Sequence, residues 1–221
     1  MMFIALGAIL FIVLLLVFTA SLKIGWGVFI RSQCFIDTNA KEIALTFDDG
    51  PHPEHTPKLL DLLKEKEIQA AFFVIGEQAE KYPEIIKRVI AEGHILGIHS
   101  FYHKPSFTIC SRQAVIDDLT RCRNTIEEIS QTKVSLFRPP FGVTNPNIAA
   151  AVKFLKMTSV GWSIRSFDTT GKNESRILKR IAKSLFPGAI VLLHDRLPEC
   201  ASLVGKLLVL LDERGYKVVR L

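Results

Sequence analysis

From Lys41 to the C-terminus, short β-prone runs alternate with longer helix-like runs, and this alternation constrains the fold more than any other feature of the chain. Strands are expected over 43–47, 70–74, 95–98, 136–138, 159–162, 189–193 and 217–220. Helices are expected over 56–66, 82–91, 111–130, 145–156, 174–185 and 201–214. Pro57 and Pro83 fall at early helical positions, and Gly93, Gly188 and Gly215 fall just past helix ends, where a cap is expected. A repeated strand-helix unit demands parallel strands joined by crossover helices. Seven such units, with no G-x-G-x-x-G after the first strand, fit a barrel-like α/β fold better than an open dinucleotide-binding sheet. At 221 residues the chain has room for one such domain and an appendage.

The appendage is N-terminal. Residues 1–22 carry no ionisable side chain and are nearly all large and apolar, a length that can span a bilayer. A cleaved signal peptide would begin with a basic region, which is absent. Residues 1–24 are therefore expected to be a retained transmembrane helix, with Trp26 at the interface, 25–40 a linker and 41–221 the globular domain. Lys23 and Arg31 follow the span, which a positive-inside count places in the cytoplasm. The net charge of +6 comes from scattered Lys and Arg with no basic run interleaved with aromatics, so nucleic acid is not an expected partner. An anionic lipid or an anionic polymer remains open. Cys34, Cys110, Cys122 and Cys200 show no metal-binding spacing; they read as packing residues, with a Cys110–Cys122 bridge conceivable outside the cytoplasm.

Polar residues gather where strands end, the edge that carries chemistry in parallel barrels. Thr46-Phe47-Asp48-Asp49-Gly50 sets two adjacent carboxylates at the end of the first strand; either this is a plain Asp-Gly turn, or one acid binds a cation while its neighbour stays free as a base. His99 and His103 form an i, i+4 pair after the third strand. One helical turn there would face both imidazoles the same way, and with one carboxylate they make a three-ligand set that leaves positions open for water. Arg138-Pro139-Pro140-Phe141-Gly142 is a rigid loop able to hold Arg138 against an acid and to aim a backbone N–H at a ligand. Trp162 and Asp168 surround the fifth strand, and Val191-Leu192-Leu193-His194-Asp195 is an apolar run ending in a histidine, as a catalytic acid requires. His52, His55 and His94 have weaker claims and read as surface or structural.

These five blocks, in this order over nearly all of 41–221, resemble the polysaccharide deacetylase family, also called the NodB-homology family or carbohydrate esterase family 4. The resemblance implies a distorted (β/α)7 barrel. It further implies Asp49, His99 and His103 as metal ligands, Asp48 as general base oriented by Arg138, and His194 as general acid tuned by Asp168. Phe141, Trp162 and Leu193 are expected to border the substrate. The fourth block departs from the family pattern: Arg165 stands where an Asp is common and Thr169 where a Trp is common, which bears on how the sugar is cradled.

The implied cofactor is a divalent metal, Zn²⁺ or alternatively Co²⁺, and the implied reaction is removal of an N-acetyl or other N-acyl group from an amino sugar. Partners would be a peptidoglycan-like or chitin-like polymer, or a lipid-linked sugar, with the membrane engaged through the N-terminal helix. That function places the domain outside the cytoplasm, against the charge count. A non-catalytic sugar-binding envelope protein on a decayed scaffold and an esterase using the same site are the rival readings.

Overall fold

The computed structural model describes residues 2–171 and 173–221, with side chains from residue 6 onward. Seven parallel strands form one sheet: β1 (Glu42–Asp48), β2 (Ala71–Val74), β3 (Ile95–Ile98), β4 (Leu136–Phe137), β5 (Thr158–Ser159), β6 (Ile164–Arg165) and β7 (Ala189–His194). Their order is β5-β4-β3-β2-β1-β7-β6, and β8 (Lys217–Val218) pairs with the start of β1. The sheet curls into a half-barrel with helices on its outer face. Those helices are α2 (His55–Glu65), α3 (Gly76–Lys81), α4 (Pro83–Ala91), α5 (Arg112–Ser130), α6 (Pro146–Phe154), α7 (Glu174–Ser184) and α8 (Cys200–Glu213). Side chains of Ser111, Asn145 and Asn173 accept hydrogen bonds from the first turns of α5, α6 and α7, which fixes where those helices begin.

Strand periodicity decides which residues reach the barrel interior. Ile43, Leu45 and Phe47 of β1 join Phe72 and Ala189, Val191 and Leu193 of β7 in the large core beneath the helices. The alternate residues face inward: Ala71 and Phe73 pack with Val160 in a small inner core, and Thr46, Asp48, Ile190, Leu192 and His194 share that parity. Parallel pairing of β1 with β7 sets Asp48 beside His194 in register. Leu193, expected to border the substrate, is thus turned away from the cleft and fully buried, and Leu192 takes that place.

Two short elements escape the sequence patterns. The expected strand over 159–162 ends already at Ser159 in β5, with β6 at Ile164–Arg165 beyond its range, and α3 is a six-residue helix without apolar periodicity. All four cysteines are free, so no Cys110–Cys122 bridge forms.

Residues 25–40, expected as a linker, lie partly along the sheet. Gln33 bridges Val160 and Phe35 bridges Ala189, while Ile36 N donates to Gly188 O at 2.7 Å. Ile24 and Cys34 pack onto Gly161. The helix before this segment, α1 (Met2–Leu22), ends against the domain: Ala20 is buried and Ser21 O accepts from Thr144 N at 2.9 Å. The expected single-pass membrane anchor over 1–24 is corrected here, and with it the membrane as partner and the membrane localisation. Among the described residues no helix is long and apolar enough to cross a membrane. The last turn of α1 is engaged by the domain rather than free. The start of the expected anchor, residue 1 and the side chains of 2–5, lies outside the described residues.

Gly188 tests how firmly the 33–36 segment is held. Its φ is +85°, and a Cβ there would sit 2.2 Å from Ile36 O. Gly188→Ala is expected to destabilise the domain by about 2 kcal/mol and to lower Tm by roughly 4–8 °C in a thermal melt.

Candidate active site

Asp48 ends β1 and Asp49 follows it with φ +72°, so the two neighbouring carboxylates diverge. Gly50 must be glycine, because a Cβ would meet the Asp195 carboxylate at 2.1 Å. Asp195 lies buried beneath this turn and accepts from Thr56 Oγ1 at 2.6 Å; burial pushes its carboxyl up to about 7. It ties the end of β7 to the start of α2 and so braces the loop that carries Asp49.

Arg138 is completely buried inside the half-barrel. Its Nη1 donates to Asp48 Oδ1 and to Thr46 Oγ1, both at 2.8 Å, its Nη2 to Gly161 O at 2.7 Å, and its Nε to Val160 O at 3.3 Å. The guanidinium also stacks over Phe73, 4.1 Å from the ring centroid. Burial lowers the pKa of Arg138 while Asp48 opposes the shift.

The carbonyl of Arg138 performs a second task. It lies 2.7 Å from His99 Nδ1, and a carbonyl oxygen can only accept, so the ring proton sits on Nδ1 and Nε2 presents a lone pair to the cleft. His99 Nε2 is 3.5 Å and His103 Nε2 3.4 Å from Asp49 Oδ1. These three ligand atoms lie within 4.8 Å of one another, the only such group among the described residues. The 99–103 loop is not the helical turn expected from the spacing; left-handed Ser100 and His103, at φ +67° and +51°, fold it so that the two imidazoles converge. Burial, reinforced by the neighbouring His99, depresses the His103 pKa to about 4, which keeps that ring neutral and able to donate a lone pair. Burial by itself would raise Asp49, but the imidazoles of His99, His103 and His194 and the Arg196 guanidinium hold it below the ordinary carboxylate range. Two neutral imidazole nitrogens and one carboxylate oxygen, with the cleft open beside them, suit a divalent cation that keeps positions free for water.

His194 faces this cluster from β7. Its Nδ1 is 2.7 Å from Asp168 Oδ1, and its backbone N–H donates to Asp168 Oδ2 at 2.8 Å. Burial pulls the His194 pKa down, but Asp168, aided by Asp48 and Asp49, outweighs it and leaves the imidazole more basic than usual. Phe141, left-handed at φ +61°, lays its ring 4.6 Å from His103. Trp162 forms one wall of the cleft and packs where a Cβ on Gly142 would lie, at 2.4 Å. The cleft measures about 160 Å³, and Arg165, Thr169 and Leu192 complete its rim.

Arg196 is a cleft residue that sequence reasoning missed. Its Nε donates to Asp49 Oδ2 at 2.9 Å from a half-exposed position, which leaves Asp49 Oδ1 to the two imidazoles. No pattern around it marks this contact. His52 and His55 stack on one another outside the cluster, and His94 is a buried structural residue whose Nδ1 accepts from Ala70 N.

Residues 36–160 match the polysaccharide deacetylase family model. The chain is 34% identical over 184 residues to the peptidoglycan-N-acetylmuramic acid deacetylase PdaC of Bacillus subtilis, covering 83% of this chain and 38% of that protein. It is 32% identical over 187 residues to a peptidoglycan-N-acetylglucosamine deacetylase of Bacillus cereus, covering 83% of this chain and 68% of that protein. Among solved structures, a CE4 family pseudoenzyme from Bacillus anthracis superposes with a TM-score of 0.76 at 27% identity, covering 81% of this chain and 63% of that one.

Removing one partner of a fully buried ion pair leaves the other charge uncompensated. Arg138→Gln is therefore expected to destabilise the protein by about 3–5 kcal/mol, read as a lower denaturation midpoint in urea.

Proposed function

The chain belongs to the polysaccharide deacetylase family, and on that premise we propose that it is a divalent-metal-dependent hydrolase that removes N-acetyl groups from the amino sugars of peptidoglycan. It is an enzyme of the class that hydrolyses carbon–nitrogen bonds other than peptide bonds. One observation carries the proposal. The Asp49–His99–His103 cluster is flanked on one side by a carboxylate held by an arginine, Asp48, and on the other by an imidazole held by a carboxylate, His194. Amide hydrolysis needs such a pair, one group to take a proton and one to give it. The relatives' substrates support peptidoglycan as the polymer. The likeness to a pseudoenzyme does not alter the reading, because each of these positions holds a side chain competent for its role. Residues 41–221 are the proposed catalytic domain.

Asp49, His99 and His103 would hold the ion, with Zn²⁺ best suited to two imidazoles and a carboxylate. When bound, such an ion would supply Lewis acidity, lowering the pKa of water toward about 7 and polarising the acyl oxygen. Asp48 keeps one oxygen on Arg138 and has the other, Oδ2, beside the cluster, 3.7 Å from His99 Nε2, where it can take the proton of an attacking water. The 2.8 Å pairing with Arg138 fixes the rotamer of Asp48. Phe141 contributes its backbone N–H to the oxyanion, a donor type worth roughly 3–4 kcal/mol in other hydrolases. His194, made more basic by Asp168, gives its Nε2 proton to the leaving amine nitrogen as the C–N bond breaks, yielding acetate and a free amino sugar. Trp162 and Leu192 form the apolar walls against which the sugar and its acetyl methyl rest.

Acetate release from peptidoglycan fragments and N-acetylglucosamine oligomers, with the full chain reconstituted with Zn²⁺, tests the assignment. Asp48→Asn should lower kcat by about 10²–10⁴-fold while retaining the ion by elemental analysis, and a chelator should abolish turnover. An Asp48→Asn protein with undiminished activity would sink it. The pH profile tests His194 separately. The acid is active while protonated, so rate is lost as pH rises through its raised pKa; Asp168→Asn removes the main interaction that raises it and should move the alkaline limb to lower pH.

A further inference from the structure

Arg165, which occupies the rim of the catalytic cleft, begins a line of cations that leads away from it. The Phe167 ring joins the cleft to α7: its centroid is 4.9 Å from the Arg165 guanidinium and 4.6 Å from that of Arg180, both within the roughly 6 Å range of a cation–π contact. Along α7, Arg176, Lys179, Arg180 and Lys183 follow at i, i+3, i+4 and i+7, so they share one face of the helix. The opposite face buries Ile177 and Ile181 in the core. The four cations and Ser184 line a surface depression of about 400 Å³ that contains no acidic side chain.

Among the described residues these five cations are exposed and none forms an ion pair, although Glu174 on the same helix pairs with Lys206 of α8. Like charges at i, i+3 and i+4 repel along a helix, and Arg176 near the start of α7 opposes the helix dipole. Among the described residues no acidic side chain pairs with the stripe to offset that repulsion. A partner bearing negative charge would offset it.

We propose that this stripe binds carboxylates of the polymer whose amino sugars enter the cleft, so that the preferred substrate is an anionic polysaccharide. The proposal rests on the deacetylase reading above and narrows its substrate. Continuity selects the occupant: the stripe leads from the cleft rim through the Arg165–Phe167–Arg180 stack, so a chain seated in the cleft extends directly over it. Guanidinium forks match carboxylate geometry, and carboxylates are the charged groups of the peptidoglycan proposed as substrate. The scattered basic residues of the sequence thus acquire a direction only when α7 is folded beside the cleft.

The test uses the full-length protein and the Arg176→Gln, Lys179→Gln, Lys183→Gln triple variant, whose substituted side chains are exposed and outside the cleft. Cosedimentation would be measured with native peptidoglycan, with the same material after amidation of its carboxyls, with chitin as a neutral polymer, and with phosphatidylglycerol vesicles. The wild-type protein is expected to bind native peptidoglycan about ten-fold more tightly than the amidated form, an advantage lost in the triple variant and weakened by salt. Binding to chitin should be equal for the two proteins. Native peptidoglycan bound within two-fold by both proteins would overturn the proposal, as would wild-type binding that is indifferent to amidation. A variant defect confined to vesicles would overturn it in favour of a lipid surface. Acetate release from the same polymers separates this inference from the functional reading. Charge-dependent binding without any acetate release removes the deacetylase assignment and leaves the stripe, whereas acetate release with the same KM on native and amidated polymer removes the stripe and leaves the enzyme.

Discussion

A guanidinium with no exposure to solvent is tolerable only when its donors are satisfied and its charge is matched, and the interior of the half-barrel is arranged around that demand for Arg138. Its partners come from two separate stretches of chain: Thr46 and Asp48 on β1, and the carbonyls of Val160 and Gly161 after β5. The arginine thus stitches the centre of the sheet to one of its ends. Its backbone carbonyl, fixed by the same side-chain anchoring, sets the tautomer of His99. One residue therefore orients the expected base and fixes the lone pair of one expected ligand.

The site obtains different chemistry from identical residue types by giving them different neighbours. Asp48 and Asp49 are adjacent in sequence, yet one meets a buried guanidinium and the other two imidazoles and a half-exposed arginine. His99 and His194 both use Nδ1 to bind an oxygen. For His99 that oxygen is a neutral carbonyl, which leaves the ring a lone-pair donor. For His194 it is a carboxylate, which favours the charged ring. The proposed ion-binding and proton-donating roles thereby fall on different histidines of one cleft. Asp195, hidden beneath Gly50, adds mechanical support without facing the cleft chemistry.

Most of the sheet could be read from the chain because its strands are apolar runs bounded by glycine, proline or charge, and its helices carry caps such as Ser111 and Asn145. The same local logic located Asp48, Asp49, His99, Arg138 and His194, which stand at or just past the ends of such runs. It failed where parity or a long-range contact decided the outcome. Leu193 is as apolar as Leu192, and only the inward or outward sense of β7 tells them apart. Arg196 was illegible because its partner, Asp49, is remote in sequence. The 33–36 segment looks like a linker because its contacts, with Val160 and Ala189, are backbone bridges that side-chain pattern does not encode.

The sequence by itself determined the α/β alternation, the parallel sheet and the residue types at the strand ends, because those follow from local periodicity and from which side chains can ligate an ion or move a proton. Tertiary structure alone decided the rest. It chose which face of each strand meets the cleft, joined Arg196 to Asp49, bridged residues 33–35 to Val160 and Ala189, and laid the α7 cations alongside Arg165. It also set the last turn of α1 against the domain, where the apolar run alone had read as a membrane span. The physical reason is common to all of these: each depends on contacts between residues far apart in the chain, whose energies exist only once the fold has brought them together.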